Sequence, residues 1–361
     1  MPVVEVENRT RKSVRFFFYA LIFLTKKEIK MNHKTMNGSS TSSGRWIGFR
    51  KELKVLDCTI RDGGLMNSSK FTDEEVRAVY DACADAGIDY MEIGYKNSHK
   101  IFSSSEFGPW RFCDEDDINR IIGDNKRDIK ISVMADAEKS DYKTDILPKE
   151  KSQIDLVRVA TYIHQIPLAL DMIKDAKDKG YETTVNIMAV STVRESELDE
   201  GLEMLGQSEA EAIYLVDSFG SLYSEQIRYM MAKYMRVAHE FGKEIGIHAH
   251  NNLQLAFANT IEAIVAGANM IDGTLAGLGR GAGNCQLELL TGFLHNPKYR
   301  VRPLLQCIEK YIEPKRAKLG WGFDYPYMVT GFLNRHPKSA MEFNESDKRG
   351  KIVDFYDEIM K

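Results

Sequence analysis

From Leu53 onward, short apolar, β-branched runs alternate with longer stretches in which apolar residues recur every three or four positions. A strand buried on both faces reads as a continuous apolar run, whereas a helix lying on a sheet shows a stripe of period 3.6. On this basis the chain predicts eight strands, at 54–61, 90–94, 130–134, 156–160, 183–189, 212–216, 244–249 and 270–275. Helices are expected between them, among them 72–86, 168–179, 195–205, 225–241 and 253–266. The first carries its own punctuation, because Thr72 and Glu75 have capping-box spacing and Gly87 supplies a stop.

Eight such units close most simply into a (β/α)8 TIM barrel of the α/β class. An open doubly wound sheet is the alternative. After Gly292 the pattern turns helical, at 304–319 and 325–334, which predicts a small helical C-terminal extension near the barrel mouth. The expected organisation is an N-terminal extension at 1–50, disordered or non-native, a barrel at 51–295 and a helical region at 296–361.

Composition narrows this picture. The chain has 361 residues, 43% of them hydrophobic, ample for one large core. A net charge of -4 without a concentrated basic patch argues against nucleic acid as a partner. Cys58, Cys83, Cys113, Cys285 and Cys307 form no CxxC pair, so neither a disulfide framework nor a thiolate zinc site is expected, and a reducing cytoplasm is the natural compartment. The apolar run 16–24 is too short to span a bilayer, so no membrane partner is expected. A membrane-associated tail and a secretory signal remain alternatives for it, while Met31 or Met36 offers a more plausible start.

The chemistry is concentrated at strand ends, where barrel active sites are built. Arg61 and Asp62 close the first predicted strand, Glu92 lies in the second, Arg158 and Thr161 are near the end of the fourth, and Asn186 is in the fifth. Asp217 and Ser218 close the sixth, and His248 and His250 the seventh. Residues two apart on a strand share a face, so His248 and His250 offer two imidazoles to one point. With Asp62 they make a mixed nitrogen and oxygen set that leaves about three positions of an octahedral ion open, suited to Mn2+, Mg2+, Co2+ or Fe2+. Two satisfied buried histidines are the plainer alternative. Arg61 is a permanent cation for charge developing on a bound oxygen, or else a surface ion-pair partner. Glu92 orients Arg61 or a ligand, or forms a buried ion pair.

Gly277, Gly279, Gly281 and Gly283 punctuate a loop that ends in Asn284. Without the Lys-Ser/Thr of a P-loop, a nucleotide reading is weak. The loop either lets backbone pass close to the metal, with Asn284 as a further ligand or supporting group, or is purely structural.

Together, Thr59-Ile60-Arg61-Asp62-Gly63, Val157 to Thr161, Ile213 to Ser218, His248-Ala249-His250-Asn251-Asn252-Leu253 and Gly279 to Asn284 resemble the HMG-CoA lyase-like, or DRE-TIM metallolyase, superfamily. Within it the chain is similar to the 4-hydroxy-2-oxovalerate aldolase branch. The resemblance spans 53–294 and implies metal ligation by Asp62, His248, His250 and Asn284, with Mn2+ the leading ion and Arg61 stabilising a metal-bound pyruvate enolate. It also implies a 2-oxo acid substrate, a homo-oligomer and an aldehyde dehydrogenase partner met through the C-terminal region, where the tail is altered here. Two departures stand out. The branch's catalytic histidine, three residues past the metal-binding aspartate, is Leu65 here, and its C-terminal tyrosine corresponds to Val329. The branch's mechanism therefore cannot run unchanged; Tyr95, Tyr162, His164, Tyr325 and Tyr327 are candidate substitutes, with Tyr162 grouped with Arg61 and Glu92 as the expected catalytic set. An acyl-CoA condensing or cleaving enzyme, like isopropylmalate synthase or HMG-CoA lyase, is a second reading. A non-catalytic barrel that lost its general base is a third.

Overall fold

A computed structural model describes residues 50–361. The apolar run 16–24 and the extension expected at 1–50 therefore lie outside the described residues, save Arg50. Eight parallel strands close into a barrel in sequence order. They are β1 (Lys54–Asp57), β2 (Tyr90–Tyr95), β3 (Lys130–Asp136), β4 (Leu156–Thr161), β5 (Glu182–Ile187), β6 (Ala212–Asp217), β7 (Glu244–Ala249) and β8 (Met270–Gly273). Closure is made by β1 and β8, where Lys54 pairs with Met270 and Asp57 with Gly273.

The expected helices are present, with ends shifted by up to three residues. After a helical turn, α1 (Thr59–Gly63), come α2 (Asp73–Ala86) and α3 (Glu115–Ile122). They are followed by α4 (Ile166–Asp178), α5 (Glu195–Gly206), α6 (Ser224–Phe241), α7 (Ala256–Ala266) and α8 (Leu287–Leu294). Thr72 and Glu75 cap α2 reciprocally, and Gly87 ends it in the left-handed conformation. The C-terminal region holds α9 (Val301–Cys307), α10 (Tyr325–Phe332), α11 (Lys338–Glu345) and α12 (Ile352–Met360). The helix expected over 304–319 is present without a gap but changes its hydrogen-bond pattern along the way: α9 passes into a π-helical turn at Ile308–Ile312, a 3-10 turn containing Pro314 and a last turn closed by Gly320. Proline lacks the N–H that a uniform α-helical pattern needs.

Alternate strand residues face two cores. Val55, Met91, Ile131, Val157, Val159, Ile213 and Ile247 pack outward against the helices, while Leu56, Tyr90, Leu156, Tyr214 and Met270 fill the lower barrel. Above that apolar plug lies a charged layer. Arg158 Nη2 donates to Asp272 Oδ2 at 2.6 Å, Arg158 Nη1 lies 3.1 Å from Glu92 Oε2, and the guanidinium sits 4.4 Å from the Tyr214 ring centroid. Gly246 makes room for that ring, since a Cβ there would meet its carbons at 2.5 Å. All five cysteines are free and buried. No helix among the described residues is long and apolar enough to cross a membrane.

Candidate metal centre and active site

Strand β1 stops four residues earlier than the apolar run suggests, so Arg61 and Asp62 belong to the turn α1 and not to a strand. The break is made by Thr59, whose hydroxyl donates to Asp57 Oδ1 at 2.5 Å and accepts from the Leu275 amide at 2.8 Å. That side chain competes for backbone partners and folds the chain inward over the barrel. Asp62 thereby reaches the imidazoles: Oδ2 lies 3.4 Å from His248 Nε2 and 3.9 Å from His250 Nε2. One ligand atom from each of the three lies within 4.8 Å of the others.

The surrounding residues fix this set. His248 extends from β7, with Nδ1 3.0 Å from Asp272 Oδ2, so Nε2 is turned toward Asp62. His250 follows β7 and forms an isolated bridge with Asn284. Both Asp62 oxygens, His248 Nε2 and Asn284 Oδ1 are buried without a hydrogen-bond partner. Buried polar atoms are rarely left so, and the unpartnered atoms of Asp62 and His248, which meet at 3.4 Å, fit a cation that would satisfy them together. Asn284 Nδ2 donates to the Leu278 carbonyl at 3.2 Å, which turns its oxygen the other way. The glycine loop permits this approach: a Cβ on Gly279 would fall 2.1 Å from Asn284 Nδ2 and 3.3 Å from Asp62 Oδ2.

Electrostatics point the same way. Burial alone would raise the Asp62 carboxyl, but Arg61, His250 and His248 hold it well below the carboxylate range. Burial drives His250 well below its ordinary value, outweighing Asp62, so this imidazole is neutral and free to ligate. At His248 burial opposes protonation, yet the neighbouring Asp272 and Asp62 carboxylates raise it. Arg61 donates through Nε to Glu92 Oε2 at 2.6 Å, and its Nη1 lies 3.5 Å from Asp62 Oδ1. Arg61 Nη2 is left without a partner, a free donor at the cavity.

A cavity of about 70 Å³ opens above these groups. Arg61, Asp62, Asn186, Ser218, His248 and His250 line it, as the strand-end reading expected. The rest of the expected convergence lies elsewhere. Glu92 and Arg158 are beneath it in the charged layer, Thr161 bonds to the Tyr162 carbonyl, and Asp217 accepts from the Ser221 and Leu222 amides to shape the turn after β6. Tyr162 is not among the lining residues; it is 37% exposed, with its ring stacked on His164. Tyr325 is exposed, while Tyr327 and Val329 are buried with Phe343 and Phe355 in the C-terminal cluster. Of the aromatic substitutes, Tyr95 alone lines the cavity, its phenol pushed up to about 12 by burial and its ring 5.9 Å from the Arg61 guanidinium carbon. Leu65 lines it too, in an apolar wall with Met134, Ala160 and Met188.

Two lining residues escaped the sequence reading. Asp136 ends β3 two residues beyond the strand expected there, and burial raises its carboxyl against the pull of Lys139, Arg61 and Arg111. Arg280 enters from the glycine loop. An acidic residue ending an apolar strand was a usable signal for Asp136; Arg280 had none beyond its place in the loop.

The HMGL-like family model matches residues 52–309. Among curated proteins, oxaloacetate decarboxylase of Mycobacterium tuberculosis is 32% identical over 249 residues, covering 68% of this chain and 70% of that protein. The 4-hydroxy-2-oxovalerate aldolase of Carboxydothermus hydrogenoformans is 29% identical over 316 residues, covering 84% and 91%. Among solved structures, the N-terminal domain of a candidate aldolase from Bacteroides vulgatus superposes with a TM-score of 0.70 at 28% identity, covering 81% of this chain and 97% of that one.

Proposed function

Because this chain belongs to the HMGL-like family, we propose that it is a divalent-metal-dependent carbon–carbon lyase that cleaves or forms the bond next to a 2-oxo acid, in the manner of a 4-hydroxy-2-oxo acid aldolase. The observation that carries this reading is the meeting of unpartnered oxygen and nitrogen atoms of Asp62 and His248, beside neutral His250 and the cationic Arg61. Bound by these residues, a divalent ion such as Mn2+ supplies a Lewis acid beside the 2-oxo group.

The chain's own residues account for the rest. Arg61, locked by Glu92 and Asp62, directs its unpartnered Nη2 at the oxygen on which negative charge builds. In the cleavage direction the C3–C4 bond breaks, its electron pair passes toward the 2-oxo oxygen, and the 4-hydroxyl proton leaves as the aldehyde forms. Asp136, with its raised carboxyl, is the base for that proton, and the Tyr95 phenol stays protonated at neutral pH to deliver one to C3. The apolar wall of Leu65, Met134, Ala160 and Met188 excludes water from the carbon chain.

The test is pyruvate release from a panel of 4-hydroxy-2-oxo acids with Mn2+, abolished by a chelator. A panel that yields no pyruvate from metal-loaded protein contradicts the aldolase. A second reading, decarboxylation of a 2-oxo dicarboxylic acid, is favoured by Leu65, because loss of CO2 needs no base at a hydroxyl and an apolar wall favours departure of a neutral product. Product analysis separates the two, since one gives an aldehyde and the other CO2.

A further inference from the structure

We propose that Arg280 is the anchor for a second carboxylate at the far end of the substrate, so that this site takes a dianionic 2-oxo acid. The proposal rests on the lyase reading only in taking the first carboxylate and 2-oxo group to lie at Asp62 and the histidines.

Arg280 lines the same cavity as Arg61, Asp62, His248 and His250. Among the described residues no carboxylate lies within 4.0 Å of it. Among the described residues its side chain makes one hydrogen bond, a long contact of 3.4 Å from Nη2 to the Ser218 carbonyl, and its buried Nε has none. An arginine partly sequestered from water and left without an anion is costly, and its planar fork matches a carboxylate. The loop just past the residue is held in place by Asn252. Asn252 Oδ1 accepts the Ala282 amide at 2.9 Å while its Nδ2 donates to the Phe219 carbonyl at 2.8 Å, and Gly281 lies so close to Asn252 that a Cβ would sit 2.7 Å from its Oδ1. The loop thus presents Arg280 on a fixed backbone, as a specificity-determining contact requires.

The neighbourhood has the same sign. His336 is held down to about 4 by burial and then by Arg280, Lys338 and Lys139, so cations crowd this side of the mouth. Asp136 is the one acidic residue lining the cavity besides Asp62, and Lys139 lies 3.7 Å from it. An incoming acid therefore meets two separate cationic poles, Arg61 beside the metal set and Arg280 on the glycine loop. A monocarboxylate uses only the first.

The direct test is calorimetric titration of Mn2+-loaded protein with 2-oxopentanedioate and 2-oxopentanoate, which differ only by a terminal carboxylate in place of a methyl group. The diacid is expected to bind at least about tenfold more tightly. In Arg280→Met that ratio falls to near one, and in Arg280→Lys it is partly kept because the charge survives without the fork. A ratio near one in the native protein, a ratio unaltered in Arg280→Met, or failure of both acids to bind overturns the proposal. Neither acid carries a 4-hydroxyl, so the ratio is read whether or not the protein cleaves carbon–carbon bonds. Absence of pyruvate release would remove the lyase reading and leave the ratio standing.

Discussion

Arg61 and His250 line one cavity, and substitution separates the two roles proposed for them. His250→Ala removes a neutral imidazole from the cation set and is expected to lower Mn2+ occupancy, read by metal analysis after dialysis. Arg61→Ala spares the ion and lowers kcat by about 10²- to 10³-fold, the usual loss when a donor to a developing oxyanion is removed. Equal metal loss in both variants would contradict that division. At Asp136, burial raises the carboxyl, so the proton-accepting form gains population, and activity climbs, as pH rises through its raised value. Asp136→Asn is expected to cost roughly 10²- to 10⁴-fold in kcat and to erase that limb of the pH profile, with the metal retained. A profile left intact in the variant would assign the limb to another group.

Strands and their charged interior layer set the stability of the barrel. Arg158 from β4 sits between Glu92 of β2 and Asp272 of β8, with no exposed surface. Arg158→Met strands two carboxylates in the core and is expected to destabilise the fold by about 3–5 kcal/mol, measured by denaturant unfolding. Asp57, at the end of β1, has its carboxyl raised to about 7 by burial, against the lowering effect of Thr59. A folded value above the unfolded one means that its contribution is fully present below about pH 4 and is lost as pH rises through 7. Asp57→Asn should flatten the fall in Tm across that window; an identical slope in the variant would exclude Asp57 as its source.

The eight strands were legible because buried parallel strands leave unbroken apolar runs, and His248 with His250 because alternation fixes their common face. The turn α1 was not, since Thr59 and Ile60 read as strand residues until the hydroxyl of Thr59 is seen bonded to Asp57 and Leu275. Asp272 shows the same limit. It lies within the strand expected at 270–275 without being singled out there, because its bonds to Arg158 and His248 depend on the closure of β8 against β1.

At the scale of the whole molecule, the C-terminal helices and the barrel mouth are joined by Asn334. Its Oδ1 accepts from the Ser191 and Ser221 hydroxyls, each at 2.7 Å, and its Nδ2 donates to the Ser191 carbonyl at 3.0 Å. One side chain thus ties the loops after β5 and β6 to the end of α10. Asn334→Ala leaves those hydroxyls unpaired and is expected to cost about 1–3 kcal/mol, with KM for the 2-oxo acid rising as the mouth loosens. A KM unaltered beside a lowered Tm would confine Asn334 to a structural role. The proposed ligation would also link to folding, because an ion held there would satisfy the buried atoms of Asp62 and His248 that have no hydrogen-bond partner.

The most direct test of the account is an electron paramagnetic resonance titration of the protein with Mn2+, repeated in Asp62→Ala. One ion bound per chain, its signal altered by added pyruvate and lost in the variant, is the predicted result. An ion bound as well by Asp62→Ala, or a native signal indifferent to pyruvate, would contradict it.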